Sequence, residues 1–154
     1  MTTTTATKRS TARERALMLF VVLQRAAGAA STRITDHNDL HGLTGTEFGI
    51  LEALYHKGPL LLGDLQRKIL LTSGGVTYTV DRLAEKGLVM RKECETDRRA
   101  RFAALTPKGE ALIERIFPSH AALIEEIMAG LTPREQEQAI ELLRKLGLFA
   151  AEED

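Results

Sequence analysis

The chain has 154 residues, 44% of them hydrophobic, enough for one domain or for one compact core with helical extensions. Aromatic residues make up 5%, Trp is absent and Cys occurs once, which argues against an aromatic-lined sugar or base platform and excludes an intramolecular disulfide or a Cys-rich zinc site. Net charge is zero but segregated: residues 64–109 carry ten Lys/Arg against six Asp/Glu, residues 110–154 four against ten, and residues 1–63 seven against five, so a polyanion would dock on the middle third.

MTTTTATKRST is polar and of low complexity, and residues 1–10 read as a disordered tail. Next, Lys8, Arg9, Arg13 and Arg15 ahead of ALMLFVVL, with AAGAAS behind it, mimic a secretory leader. Leu17, Phe20, Val21 and Gln24 instead fall at i, i+3, i+4 and i+7, which predicts a helix with one buried face from Thr11 to about Asp36. Small residues around Gly28 would admit another helix closely. The helix reading favours a cytoplasmic protein, and no segment is expected to approach transmembrane length.

Residues 38–42 read as a loop. In LTGTEFGILEALYHKGP, Thr44 and Glu47 have capping-box spacing, Phe48, Leu51 and Leu54 or Tyr55 form an apolar stripe, and Gly58-Pro59 stops the helix. A short helix over 63–69 follows, with Leu65 and Ile69 inward. After a turn, Ser73 starts another helix, whose Val76, Val80, Leu83 and Ala84 share a face and which ends at Gly87. The period then shortens: LVMRKE and RFAAL predict two strands, with CETDRRA as the hairpin loop. Thr106-Pro107 opens a long helix to about 129, bending at Pro118, with Leu112, Ile116, Leu123 and Ile127 on one side. A last helix begins at Leu131-Thr132-Pro133 and turns Ile140, Leu143 and Leu146 inward.

Two helices joined by a tight turn and followed by a hairpin describe a winged helix-turn-helix, mainly α with a small β-hairpin wing. The helix from Ser73 starts with the small polar turn SGGVT, which lets backbone approach DNA, and its N-terminus attracts phosphate. Taken alone, that helix reads better as an ordinary solvated face, because small polar residues at a helix start are common. The hairpin tips the balance, with Arg98 and Arg99 at its tip and Arg91, Lys92 and Arg101 on its strands. A guanidinium gains most in a narrow minor groove. Asp97 opposes a polyanion, so its value is geometric: it holds an arginine fork in one orientation.

These segments resemble the MarR family of bacterial transcriptional regulators, from about Leu43 to Gly147, through LTGTEFGILEAL, TSGGVTYTVDRLAEKGLVMR, TDRRARFAALTPKGEALI and LTPREQEQAIELLRKLG. The most specific piece is Asp-x-Arg followed by Leu-Thr-x-x-Gly, here Asp97, Arg99, Leu105, Thr106 and Gly109. The resemblance implies that Arg99 enters the minor groove, aimed by Asp97, with Arg98 and Arg101 on the same wing, and that Ser73, Gly75, Thr77, Tyr78 and Arg82 face DNA from the recognition helix. Many members have Arg where this chain has Tyr78. The resemblance also implies a homodimer on a pseudo-palindromic operator with half-sites roughly 10 bp apart, and a repressor released by a small phenolic or anionic aromatic ligand. On this reading 1–10 is a tail, 11–42 an N-terminal dimerisation helix and loop, 43–106 the winged helix-turn-helix, 107–149 the C-terminal dimerisation helices and 150–154 an acidic tail. Arg25 or Arg33 would meet the ligand's anionic group, with the segment from His37 to Tyr55 lining the pocket.

Cys94 offers a thiol-based alternative. Arg91, Lys92 and Arg98 would lower its pKa, while Glu93 and Glu95 oppose thiolate formation. A winged module that binds only protein is a further alternative, against which the basic hairpin speaks. His37, His41, His56 and His120 read as solvated or capping rather than metal-binding, since no third close His or Cys completes a tetrahedral set. No GxSxG motif, phosphate-cradling Gly loop or carboxylate pair supports an enzyme, and no cofactor or membrane partner is expected.

Overall fold

Threonine hydroxyls write the helix starts in this chain. The computed structural model describes residues 10–69, 73–93, 95–96 and 101–151. Thr11 caps α1 (Ala12–Asp39): its hydroxyl accepts from the Glu14 N–H at 3.1 Å, and the Glu14 carboxylate accepts from the Thr11 N–H at 2.7 Å. Thr44 and Glu47 make the same reciprocal pair at the start of α2 (Gly45–Lys57). That helix stops at Gly58, whose φ of 74° is open to a residue without Cβ.

Leu60–Leu61 forms β1, followed by α3 (Leu62–Ile69) and α4 (Ser73–Glu85). The end of α4 is a Schellman turn: Gly87, at φ 72°, donates to the Ala84 carbonyl and Leu88 donates to that of Leu83, both at 2.9 Å. The chain then runs straight into β2 (Val89–Glu93), which pairs antiparallel with β3 (Arg101–Leu105), Val89 opposite Leu105 and Arg91 opposite Ala103. β1 pairs on the other edge of β3, so the hairpin is two strands of a three-stranded sheet in the order β1-β3-β2. A two-residue strand carries no readable alternation, which is why the sequence predicts only the hairpin.

α5 (Pro107–Met128) and α6 (Pro133–Ala151) complete the fold. α5 continues through Pro118 as one helix, and α6 runs two residues into the segment expected to be an acidic tail. α1 also outruns its predicted end, so Asn38, expected in a loop, is helical and buried. The core gathers Ile50 and Leu51 from α2, Leu65 from α3, Val76, Val80 and Leu83 from α4, Val89 and Ala103 from the sheet, and Ile113 and Ile116 from α5. Ala84, expected on the inner face of α4, is exposed.

Two helices are left uncovered. α6 has no buried residue, and Leu17 to Val22 of α1 are all exposed. At 28 residues, with an 18-residue window of mean hydropathy 1.2, α1 is long and apolar enough to cross a membrane by length and composition. That corrects the expectation drawn from the short ALMLFVVL run, because alanines beyond it extend the apolar window. The C-terminal half of α1 is nevertheless tied to α5: Arg33 pairs with Glu126 at 2.6 Å, and His37 Nε2 lies 3.0 Å from the Ser119 hydroxyl.

Candidate nucleic-acid interface

Burial of Val76, Val80 and Leu83 turns the opposite side of α4 to solvent, and Thr77, Tyr78 and Arg82 are exposed there. Tyr78 is 66% accessible, the largest ring that α4 presents to solvent. Gly75 is half-buried; its carbonyl accepts from the Thr79 hydroxyl at 2.8 Å, so Thr79, although in the polar run, serves the helix itself. Ser73 opens α4, but its side chain lies outside the described residues.

Three links hold α4 at its angle. Lys86 donates to the buried Glu47 carboxylate at 2.7 Å and to the Gly42 carbonyl at 3.2 Å, fastening the end of α4 to the start of α2. Thr106 caps α5 by accepting from the Gly109 N–H at 3.1 Å, and donates its own proton to the Gly87 carbonyl at 2.6 Å. Gly109 sits so close to this turn that a Cβ there would lie 1.9 Å from the Leu88 carbonyl oxygen. The third link joins α4 to the wing: the Asp81 carboxylate and Arg91 guanidinium meet at 2.7 Å. The sequence reading placed Arg91 among the basic wing residues and left Asp81 without a role. An acid on a surface expected to face DNA is the signal that singles out Asp97 on the wing, and it applies equally to Asp81 on α4.

On the wing, Lys92 and Arg101 are exposed, with Arg101 opposite Glu93. Cys94, Asp97, Arg98 and Arg99 lie outside the described residues.

A second locus lies where α1, α2 and α5 meet. His120 of α5 is buried with its ring 4.2 Å from that of Phe48 and 5.9 Å from that of His37, which is itself 5.1 Å from His41. Loss of solvent holds the His120 pKa below the ordinary imidazole value, opposed by the charge of Glu52 and reinforced by that of His37. His120 Nδ1, His37 Nδ1 and both polar atoms of the Asn38 amide are buried without a hydrogen-bond partner among the described residues. His120 is therefore neither solvated nor capping, a correction that depends on long-range packing. Among the described residues no three His, Cys, Asp or Glu side chains could hold a metal ion. Arg33 lines an apolar cleft of about 380 Å³ floored by Ala26, Ala29 and Ala30, while Arg25 is exposed on α1.

Comparison with known proteins places these features in a series. Residues 41–100 match the model of the MarR family. The chain is 47% identical over 137 residues to the HTH-type transcriptional regulator MhqR of Bacillus subtilis, spanning 89% of this chain and 94% of that protein. Among solved structures it is similar to BpsR of Bordetella bronchiseptica, whose DNA binding is regulated by 6-hydroxynicotinic acid, with a TM-score of 0.76 and 27% identity over 84% of this chain and 98% of that one. It shares the fold of Sco3205, a MarR family transcriptional regulator from Streptomyces coelicolor solved in complex with DNA, with a TM-score of 0.81 and 24% identity over 94% of this chain and 91% of that one.

Proposed function

This chain belongs to the MarR family of DNA-binding transcriptional regulators, and from that premise we propose that it works as a homodimeric repressor, freed from a pseudo-palindromic operator by a small phenolic or anionic aromatic compound. The observation that carries the dimer is α6, a 19-residue helix with no buried residue, beside an α1 whose apolar run is equally bare. Apolar helix faces left exposed in this way mark an interaction site. A second copy that covers it also brings a second α4 and a second wing onto the same duplex.

In each half-site Ser73, Gly75, Thr77, Tyr78 and Arg82 enter the major groove. Thr77 and Tyr78 read base edges, while the start of α4 sits against phosphate. Arg99 enters the adjacent minor groove, held by Asp97, and Arg98 and Arg101 lie along phosphates. A protein working on DNA in this way acts in the cytoplasm. For the effector, the junction of α1, α2 and α5 is a better seat than Arg25 or Arg33. There His37 Nδ1, His120 Nδ1 and the Asn38 amide are buried without a partner among the described residues, whereas Arg33 is engaged by Glu126. The regulation of BpsR by a hydroxylated aromatic acid supports the ligand class.

The test is a titration of duplexes, enriched by the protein from a randomised pool, at several salt concentrations. Arg99→Ala is expected to weaken binding and to flatten the slope of log K against log salt by about 0.9, the value of one lost phosphate neutralisation. Unchanged affinity and slope would remove Arg99 from the interface.

A further inference from the structure

Asp81 and Arg91 each stand where their chemistry is unhelpful. Asp81 lies on α4 one turn beyond Thr77 and Tyr78, beside Arg82, so its negative charge faces the approach of a phosphate backbone. Its side chain is 54% accessible, so burial has not forced it there. Arg91 is the middle residue of β2 and shares a strand face with the buried Val89. Its guanidinium is half-buried: Nε and Nη2 are shielded from solvent, and neither makes a well-aligned hydrogen bond among the described residues. A methionine would cover the same edge of α4 without the cost of desolvating a charge.

The two anomalies cancel at one contact, Arg91 Nη2 to Asp81 Oδ1 at 2.7 Å. A partly exposed ion pair adds little to stability. What it can do is fix the geometry between two elements that the backbone joins only through the Gly87 turn. We propose that Asp81 and Arg91 are positioning residues that brace the wing against the recognition helix, so that one protomer engages the major and the adjacent minor groove together. Arg91 on this account touches no phosphate. Asp81 is retained at the DNA surface because the spacing it enforces is worth more than the repulsion it causes.

The prediction has a sign opposite to that of simple electrostatics. Asp81→Asn removes a negative charge from a DNA-facing surface, which by charge alone tightens binding. The brace predicts a loss of about tenfold or more, with a salt slope unchanged to within one phosphate contact. Arg91→Met, which keeps the apolar stem, is expected to lose a similar factor, and the double variant to be no weaker than the worse single one. Minor-groove protection in a hydroxyl-radical footprint should fade in all three, while major-groove contacts persist in methylation interference. Equal or tighter binding by Asp81→Asn overturns the proposal, as do additive losses in the double variant. A slope flattened by about 0.9 in Arg91→Met would make Arg91 a phosphate contact instead. If the wild-type chain enriches no duplex, the DNA reading itself fails, which is a separate result.

Discussion

His120 carries the pH dependence of the fold in one side chain. Its ring is packed against Phe48, and burial lowers its pKa from 6.5, so the folded protein resists a proton that the unfolded chain accepts. The stability it contributes is complete above about pH 6.5 and is lost as pH falls through that value toward the lower folded pKa. The melting temperature should therefore drop between about pH 7.5 and about pH 5.5, and drop less in His120→Phe, which keeps the ring stacking and removes the titration. Parallel pH profiles for the two proteins would show that His120 is not the proton-linked group. Sequence alone showed a histidine two residues past a proline, with nothing to mark it as buried. The ring that shields it lies on a helix more than sixty positions earlier.

Between elements, the joint of the α4–β2 turn with the start of α5 leaves no room for a β-carbon at Gly109. Thr106 hydrogen-bonds across it, Lys108 donates to the Lys86 carbonyl at 2.9 Å, and Gly109 packs directly on the Leu88 backbone. Because the obstacle is backbone, it cannot move aside by changing rotamer. Gly109→Ala is expected to cost about 3 kcal/mol, the upper end for forcing an extra carbon into a packed site, measured by urea denaturation. A loss below about 0.5 kcal/mol, the range of neutral surface changes, would show that the joint can open. For the effector seat proposed between α1, α2 and α5, the same joint is the direct link from α5 to the end of α4. The caps, the Gly58 and Gly87 stops and both hairpin strands were legible in the sequence, because each depends on residues within a few positions. The joint was legible only as spacing: Leu-Thr-x-x-Gly marks the place without saying that the glycine is there for lack of room.

For the whole molecule, charge and apolar surface divide the labour. The basic middle third supplies α3, α4 and the hairpin, while the acidic C-terminal part supplies most of α5 and all of α6, where its charge would repel a polyanion. Ile140, Leu143 and Leu146, expected to face inward, are instead exposed. In the proposed dimer their inward side is the partner. Leu143→Glu with Leu146→Glu is expected to give a monomer by light scattering that retains its helical circular dichroism but binds an operator at least 100-fold more weakly. That factor corresponds to about 2.7 kcal/mol. A variant that stays dimeric would place the interface elsewhere.

By itself the sequence determined where the capped helices begin, most of the apolar faces, that the middle of the chain is basic, and that a hairpin follows a recognition-type helix. Those properties are set by periodicity, capping and turn chemistry over short separations. Only the tertiary structure decided that Asp81 meets Arg91, that Glu47 meets Lys86, that a third strand joins the wing, and that α1 and α6 are left bare. Each of these depends on distant segments brought side by side by burial of a shared core, and no local pattern encodes which segments those are.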